Sequence, residues 1–128
     1  MATLKSTIKL ESSDLFPSPL AFTVVNNNTV AGDYSSFSTL TVTNTATQLN
    51  TQAIDGASSS AYCYFSTPTT NSTPVYVAYE GVTGSPFVRL APGDVAFLPV
   101  GDTASTADLV AFTTTSTASL SYFIGNKD

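Results

Sequence analysis

The residue types that most often carry catalysis are missing or isolated in this sequence. The 128-residue chain contains no histidine, which removes the commonest general base and the commonest metal ligand. Serine is abundant, but no Gly-x-Ser-x-Gly elbow occurs, and a serine nucleophile needs an activating base. Cys63 is the single cysteine, so no intrachain disulfide can form, and its alternating Tyr-Cys-Tyr-Phe setting predicts a small buried hydrophobe. We therefore expect no enzymatic activity.

The acidic residues are the remaining candidates for catalysis or for metal binding. The aspartates of interest are Asp14, Asp33, Asp55, Asp94, Asp102 and Asp108. Most of them stand beside Gly or Ser, where aspartate is favoured because its side chain bonds nearby backbone. A calcium site would need six or more oxygen ligands, and no calcium-loop spacing is present. The sequence therefore predicts turn residues here, with no metal site and no cofactor.

The tyrosines allow two interpretations. Five of them stand in predicted strands: Tyr62, Tyr64, Tyr76, Tyr79 and Tyr122. They would either form a surface on which sugars stack or pack in the core and between subunits. Tyrosine is a routine strand residue with a large apolar body, and the chain has no tryptophan. Packing is therefore the favoured interpretation.

The overall composition excludes several classes of partner. The formal net charge is −5 and the pI is near 4.2, so a phosphate backbone would be repelled and nucleic-acid binding is not expected. No apolar stretch is long enough to cross a bilayer or to serve as a signal peptide. We therefore expect no membrane partner and synthesis in a cytoplasm.

The stretch from Phe87 to Ile124 shows the clearest structural pattern, because apolar residues recur there at every second position. Pro92-Gly93 is typical of a tight turn and predicts a hairpin between residues 86–91 and 94–98. In the second of these strands Val95 and Phe97 share one face, while Ala96 and Leu98 share the other. A strand that is apolar on both faces lies inside a sandwich or against a partner.

The last predicted strand has one residue that breaks its pattern. Leu120, Tyr122 and Ile124 point one way, whereas Phe123 stands with the serines on the other face. Phe123 is then either an ordinary exposed aromatic or a residue covered by a neighbouring subunit. The preceding residues 113–117 predict a loop between neighbouring strands.

The front half begins with a strand that carries charge. Residues 3–11 alternate, with Leu4, Ile8 and Leu10 on one face and lysines on the other, which suits the edge of a sheet. Pro17 and Pro19 interrupt regular pairing. We therefore divide the chain into an amino-terminal strand or arm, residues 1–19, and a domain, residues 20–128. Further on, Asn26-Asn27-Asn28 predicts a turn, Gly32-Asp33 an exposed loop, and residues 44–60 either a weak strand or an ordered loop.

The number of strands indicates the fold class. Eight or nine short strands, with turn signals about every 8–15 residues, predict an all-β fold built as an antiparallel β-sandwich. Chain length and strand number favour a jelly-roll-like arrangement of two four-stranded sheets. An immunoglobulin-like sandwich is the alternative, and the absence of Trp and of a cysteine pair counts against it.

The carboxy-terminal third resembles a known group of proteins. The matching residues are Phe87, Arg89, Leu90, Pro92-Gly93-Asp94, Ala96, residues 107–111 and residues 117–124. In their order they are similar to small virion structural proteins of tailed bacteriophages, in style most of all to those of marine cyanophages. The resemblance covers about the last 40 residues, and the front half matches only in being threonine-rich β structure with a charged first strand.

This resemblance implies a function and a set of partners. It implies a non-enzymatic capsid decoration (cement) protein, or a related head or neck protein, that binds the major capsid protein and acts as a homo-oligomer, with a trimer favoured. The protein would be assembled in the host cytoplasm and reside in the virion. The alternative is a receptor- or glycan-binding domain of a phage tail fibre or spike. The residues that we expect at the protein interface are Leu4, Lys5, Lys9, Phe16 and Phe123.

Overall fold

The computed structural model describes residues 2–14, 17–50, 60–101 and 108–127 of the chain, apart from the side chains of residues 31–36, 50, 60, 126 and 127. This part of the chain forms nine strands and contains no helix long and apolar enough to cross a membrane. The strands are β1 (Ala2–Ser12), β2 (Leu20–Val42), β3 (Thr47–Asn50), β4 (Ser60–Ser66), β5 (Val75–Tyr79), β6 (Val88–Leu90), β7 (Val95–Gly101), β8 (Leu109–Phe112) and β9 (Ala118–Lys127).

The strands form two antiparallel sheets. A five-stranded sheet has the order β1-β2-β9-β4-β7, and a four-stranded sheet has the order β3-β8-β5-β6. Four antiparallel strand pairs are nested around the connection between β5 and β6, and successive pairs fall alternately in the two sheets. From the inside outward they are β5–β6, β4–β7, β3–β8 and β2–β9. One long hairpin rolled up on itself gives this order, which is the jelly-roll topology. The predicted all-β, jelly-roll-like sandwich is confirmed.

The core lies between the two sheets and follows from the alternation of the strands. Fully buried side chains from both inner faces include Val42, Cys63, Phe65, Val75, Val77, Leu109, Leu120 and Ile124. Burying an aliphatic or aromatic side chain of this size stabilises the fold by about 1.5–3 kcal/mol. Tyr122 also points inward, and its hydroxyl donates a 2.7 Å hydrogen bond to the Leu49 carbonyl, which ties β9 to β3 across the sandwich.

The Pro-Gly turn forms as predicted, but the hairpin around it does not. Asp94 donates its backbone N–H to the Ala91 carbonyl at 2.9 Å, and its carboxylate accepts from the Ala91 N–H at 2.8 Å. Gly93 has φ +88°, a value that favours glycine. However, β6 pairs with β5 in the four-stranded sheet, and β7 pairs with β4 in the five-stranded sheet. The turn therefore carries the chain from one sheet to the other. Residues 113–117 do the same between β8 and β9, so the prediction of neighbouring strands there was also wrong.

The longest strand, β2, has two parts with different partners. Leu20–Val30 pairs with the whole of β1, whereas Ser35–Val42 pairs with β9, and the register shifts between these parts. We call β1 with Leu20–Val30 the hairpin. The turn predicted at Asn26–Asn28 and the loop predicted at Gly32-Asp33 were wrong, because both stretches lie within β2. Backbone pairing with β1 outweighs the turn preference of the asparagines. Of the uncertain residues 44–60, residues 47–50 form β3, and 51–59 lie outside the described residues.

Candidate interaction surface

Four aromatic side chains form a row across the outer face of the five-stranded sheet. Phe37 of β2 stands opposite Phe123 of β9, Phe123 opposite Tyr64 of β4, and Tyr64 opposite Phe97 of β7. The sequence neighbours of Tyr64 and Phe123 point into the core, so alternation directs these two rings away from it. Directly paired residues lie on the same face of a sheet, which places Phe37 and Phe97 beside them. Directly opposed side chains on adjacent strands lie within contact distance. We call these four residues the aromatic row.

The apolar character of this face continues at the β7 edge. Val95 stands two residues from Phe97 on the same face and is 65% exposed. Tyr62 stacks on Phe97, with ring centroids 6.2 Å apart and planes 3° apart. Two residues further along β2, opposite β9, the face becomes polar, since the hydroxyls of Thr39 and Ser121 hydrogen-bond at 3.0 Å. The aromatic row and Val95 thus form an apolar strip that runs toward the β7 edge.

A groove separates this face from β1. Leu4, Ile8 and Leu10 line one wall, Tyr64, Val95, Phe97 and Phe123 line the other, and the volume is about 480 Å³. Ser6 also lines the groove, and its hydroxyl is buried without a hydrogen-bond partner among the described residues. Lys5 and Lys9 contribute to the same lining. We call this space the groove.

The hairpin has an apolar face of its own. Leu10 stands opposite Phe22, and Ile8 stands opposite Val24, so these side chains share the face that lines the groove. Leu10 is 52% exposed and Phe22 48% exposed, which leaves this end of the hairpin uncovered. We call Ile8, Leu10 and Phe22 the hairpin patch.

Of the residues predicted at an interface, four lie around the groove. Leu4 is half-buried in its wall, and Phe123 lies at the centre of the aromatic row. Lys5 is exposed at the groove, and Lys9 forms a 2.9 Å ion pair with Glu11. Phe16 lies outside the described residues. The assignment of these residues to an interface stays a prediction.

The sequence pointed to only part of the apolar surface. It placed Val95 and Phe97 on a strand that is apolar on both faces, named Ile8, Leu10 and Tyr64 only as strand residues, and did not single out Phe22 or Phe37. Phe37 carries a usable signal, because it stands in the polar run Ser-Ser-Phe-Ser, as Phe123 stands among serines. The missing information was the register, which alone shows that these two phenylalanines face each other.

The groups considered for chemistry are placed as follows. Cys63 is buried on β4, so its predicted burial is confirmed, and burial raises the pKa of its thiol to about 12. Asp94 supports a turn, and Asp14 accepts a hydrogen bond from Ser12. The Asp33 side chain, Asp55 and Asp102 lie outside the described residues.

One polar cluster lies at the edge of the four-stranded sheet. The Gln48 amide nitrogen donates to the Asp108 carboxylate at 2.6 Å and to the Glu80 carboxylate at 3.4 Å. Within residues 2–14, 17–50, 60–101 and 108–127, no group of three or more His, Cys, Asp or Glu residues is placed to hold a metal ion. The cluster therefore organises backbone at the start of β8, where Glu80 also bonds the Asp108 carbonyl.

The five tyrosines do not share one surface. Tyr62 and Tyr64 lie on the outer face of the five-stranded sheet, and Tyr122 lies in the core. Tyr76 stacks on Phe112 with ring centroids 5.6 Å apart, on β5 and β8 of the four-stranded sheet. Tyr79 packs on Phe87 and donates to the Gly101 carbonyl at 2.8 Å.

Comparison with known proteins adds information on the fold alone. No protein-family model matches the chain, and no curated protein matches it at a significant level. A chain from the solved structure of Bacillus endospore appendages, described as a novel family of disulfide-linked pili, is similar in structure, with a TM-score of 0.56. The two chains are 18% identical, and the match covers 73% of this chain and 83% of the other. At that identity the likeness shows a shared β architecture.

Proposed function

We propose that this chain is a non-enzymatic structural protein that binds other protein subunits in a larger assembly, as a decoration protein on the shell of a tailed bacteriophage. The observation that carries this proposal is the hairpin. None of the β1 side chains belongs to the hydrophobic core, yet eleven residues of β1 pair in register with β2. An isolated two-stranded hairpin is marginal in water, so a hairpin of this length gains its stability from a partner.

The hairpin offers two separate means of binding. β1 is the edge strand of the five-stranded sheet, so one side of its backbone is available to pair with an extended segment. The hairpin patch offers apolar contact area beside that edge. Binding of this kind depends on contact area repeated by symmetry and needs no pocket.

The virion setting and the capsid partner come from the sequence resemblance. The likeness to a pilus chain supports repeated self-association as a use of this fold, although one fold hosts many functions. We keep the trimer as the proposed oligomer, with assembly in the host cytoplasm. The glycan-binding alternative required a groove lined by tyrosines, and of the tyrosines with described side chains only Tyr64 lines the groove. No observation favours that alternative.

Incorporation into particles tests the proposed function. A chain that lacks residues 2–12 is expected to show greatly reduced occupancy in purified particles, as measured by quantitative mass spectrometry. The control is Val82→Asp, which changes a half-exposed apolar residue far from the hairpin in sequence. Full occupancy of the deletion variant would contradict a role for the hairpin, and absence of the intact chain from particles would contradict the function.

A further inference from the structure

Two apolar surfaces of the described chain lack a covering partner. Phe37 in the aromatic row is 72% exposed, and Val95 beside that row is almost as exposed. The hairpin patch is about half exposed, although it faces the same groove. Removing apolar area from water stabilises a contact, so both surfaces would gain from contact with another apolar surface.

The protein's own hairpin does not fill the space in front of the aromatic row. The groove of about 480 Å³ remains between β1 and the aromatic row, which is room for several side chains of another chain. Ser6 lines this groove, but its hydroxyl oxygen is covered by the chain itself. Contact in the groove therefore depends on its apolar side chains.

The distribution of charge identifies a suitable occupant. β1 holds two lysines and one glutamate, whereas the rest of the chain holds eight of the nine acidic residues and only two of the four basic ones. Lys9 pairs with Glu11 on its own strand, so Lys5 is the cation of β1 that would meet the acidic body of another molecule. One acidic residue, Asp94, immediately precedes Val95 at the apolar strip. Complementary charge of this kind increases the rate and the specificity of association.

We propose that the hairpin patch of one copy packs on the aromatic row and Val95 of a second copy. The inference rests on the proposed function, because it names the partner that covers this surface within an assembly. The contact joins two different surfaces of the molecule, so it is heterologous. A heterologous contact forms a ring, such as the proposed trimer, where the rotation between copies closes, and an open array where it does not. The free edge of β1 stays available for the shell.

Oligomeric state in solution gives the first test. The intact protein is expected to sediment as an oligomer at micromolar concentration in analytical ultracentrifugation. Leu10→Asp combined with Phe22→Asp, and separately Phe37→Asp, should each raise the dissociation constant at least tenfold. Val82 is 50% exposed and lies outside both surfaces, so Val82→Asp should leave the dissociation constant unchanged. None of the changed residues belongs to the core cluster, so thermal unfolding of each variant should confirm an intact fold.

Disulfide trapping locates the contact independently of affinity. Leu10→Cys and Phe37→Cys are made as separate variants and mixed under mild oxidation, so a mixed disulfide between them is necessarily intermolecular. Cys63 stays silent because it is buried. We expect the mixed product to exceed that of Leu10→Cys mixed with Val82→Cys by at least tenfold. A monomeric intact protein, or equal trapping in the two mixtures, would overturn the inference.

The outcomes separate this inference from the proposed function. A monomer that is still incorporated into particles would remove the contact between copies and leave the structural role. An oligomer that depends on Leu10 and Phe37, but is absent from particles, would support the contact and remove the virion function.

Discussion

Asn71 binds the backbone of Ser119 through both atoms of its side-chain amide. Its nitrogen donates to the Ser119 carbonyl at 2.8 Å, and its oxygen accepts from the Ser119 N–H at 2.9 Å. The pairing of β4 with β9 ends at the pair of Ser66 with Ser121, and Ser121 lies two residues after Ser119 along β9. The asparagine therefore takes the place of a peptide group of β4 and extends the pairing of β9 by one step.

Replacement of Asn71 should destabilise the sandwich through these two hydrogen bonds. Asn71→Ala removes both and is expected to lower the free energy of unfolding by about 2 kcal/mol, because Ser119 is left with unpaired groups. Asn71→Asp should be at least as harmful, since a carboxylate cannot donate to the Ser119 carbonyl. Urea denaturation measures both variants, and Ser72→Ala is the exposed control. A change below 0.5 kcal/mol for Asn71→Ala would show that water replaces the amide; this threshold is about the scatter of surface substitutions.

Tyr122→Phe tests the hydrogen bond across the core. The substitution keeps the ring and removes the donor to the Leu49 carbonyl, which is nearly fully buried. We expect a loss of about 1–2 kcal/mol in the free energy of unfolding, with an unchanged denaturant slope. Tyr64→Phe, on the outer face, should change it little. Equal effects of the two substitutions would show that the Leu49 bond contributes nothing specific.

Alanine substitutions at three glycines distinguish the cost of backbone strain from the cost of a steric clash. A Cβ at Gly93 would require φ +88° and would lie 2.9 Å from the Thr69 methyl carbon. At Gly81 φ is +76° with open space, and Gly84 has neither constraint. Alanine should therefore cost most at Gly93, about 1–2 kcal/mol at Gly81, and nothing or less at Gly84. Thermal unfolding ranks the three variants, and any other order would contradict the turn geometry.

Cys63 predicts how stability changes at alkaline pH. Its pKa is about 12 in the folded protein and 9.0 in the reference state, so the unfolded chain loses this proton first. The stabilisation is complete below pH 9 and is lost as the pH rises toward 12, by about 1.4 kcal/mol per pH unit. The free energy of unfolding of the intact protein minus that of Cys63→Ala should therefore become smaller between pH 8 and pH 11. The contributions of the other titrating groups cancel in this difference. A difference that stays constant would contradict a buried neutral thiol.

Ser6→Ala tests the buried hydroxyl beside the groove. The Ser6 hydroxyl oxygen is covered by the chain and has no hydrogen-bond partner among the described residues, so its removal is expected to raise the free energy of unfolding by about 1 kcal/mol. Thr3→Ala, at an exposed residue of β1 that does not line the groove, is the control for urea denaturation. A loss of stability with Ser6→Ala would contradict an unpaired hydroxyl.

The alternation of side chains along the sequence predicted the strands well where every second side chain lies in the core. The stretches around Cys63 and Leu120 show this, because each buries every second side chain. The pattern failed at Pro92-Gly93, because turn residues specify a reversal of direction and not the sheet that receives the next strand. It also failed at Asn26–Asn28, where pairing with β1 decides the backbone conformation.

The candidate surface was less predictable than the fold for a related reason. Phe123 was recognisable as an apolar residue on a polar face, but Phe37 gains its meaning only when it stands opposite Phe123. Their strands are far apart in the sequence, and no local pattern carries that register. The position of the lysine-bearing strand beside the groove depends on the same long-range pairing.

The nested order of the strands also determines how the chain reaches its native state. Thr39 and Ser121 are partners although they lie 82 residues apart, and β9 sits between β2 and β4. The five-stranded sheet therefore cannot be completed on the ribosome before β9 has emerged, and β2 and β4 wait with open edges until then. Such distant pairing slows folding and exposes aggregation-prone edges. The charged β1 strand, which is made before β2 and pairs with its first part, covers the opposite side of β2 early.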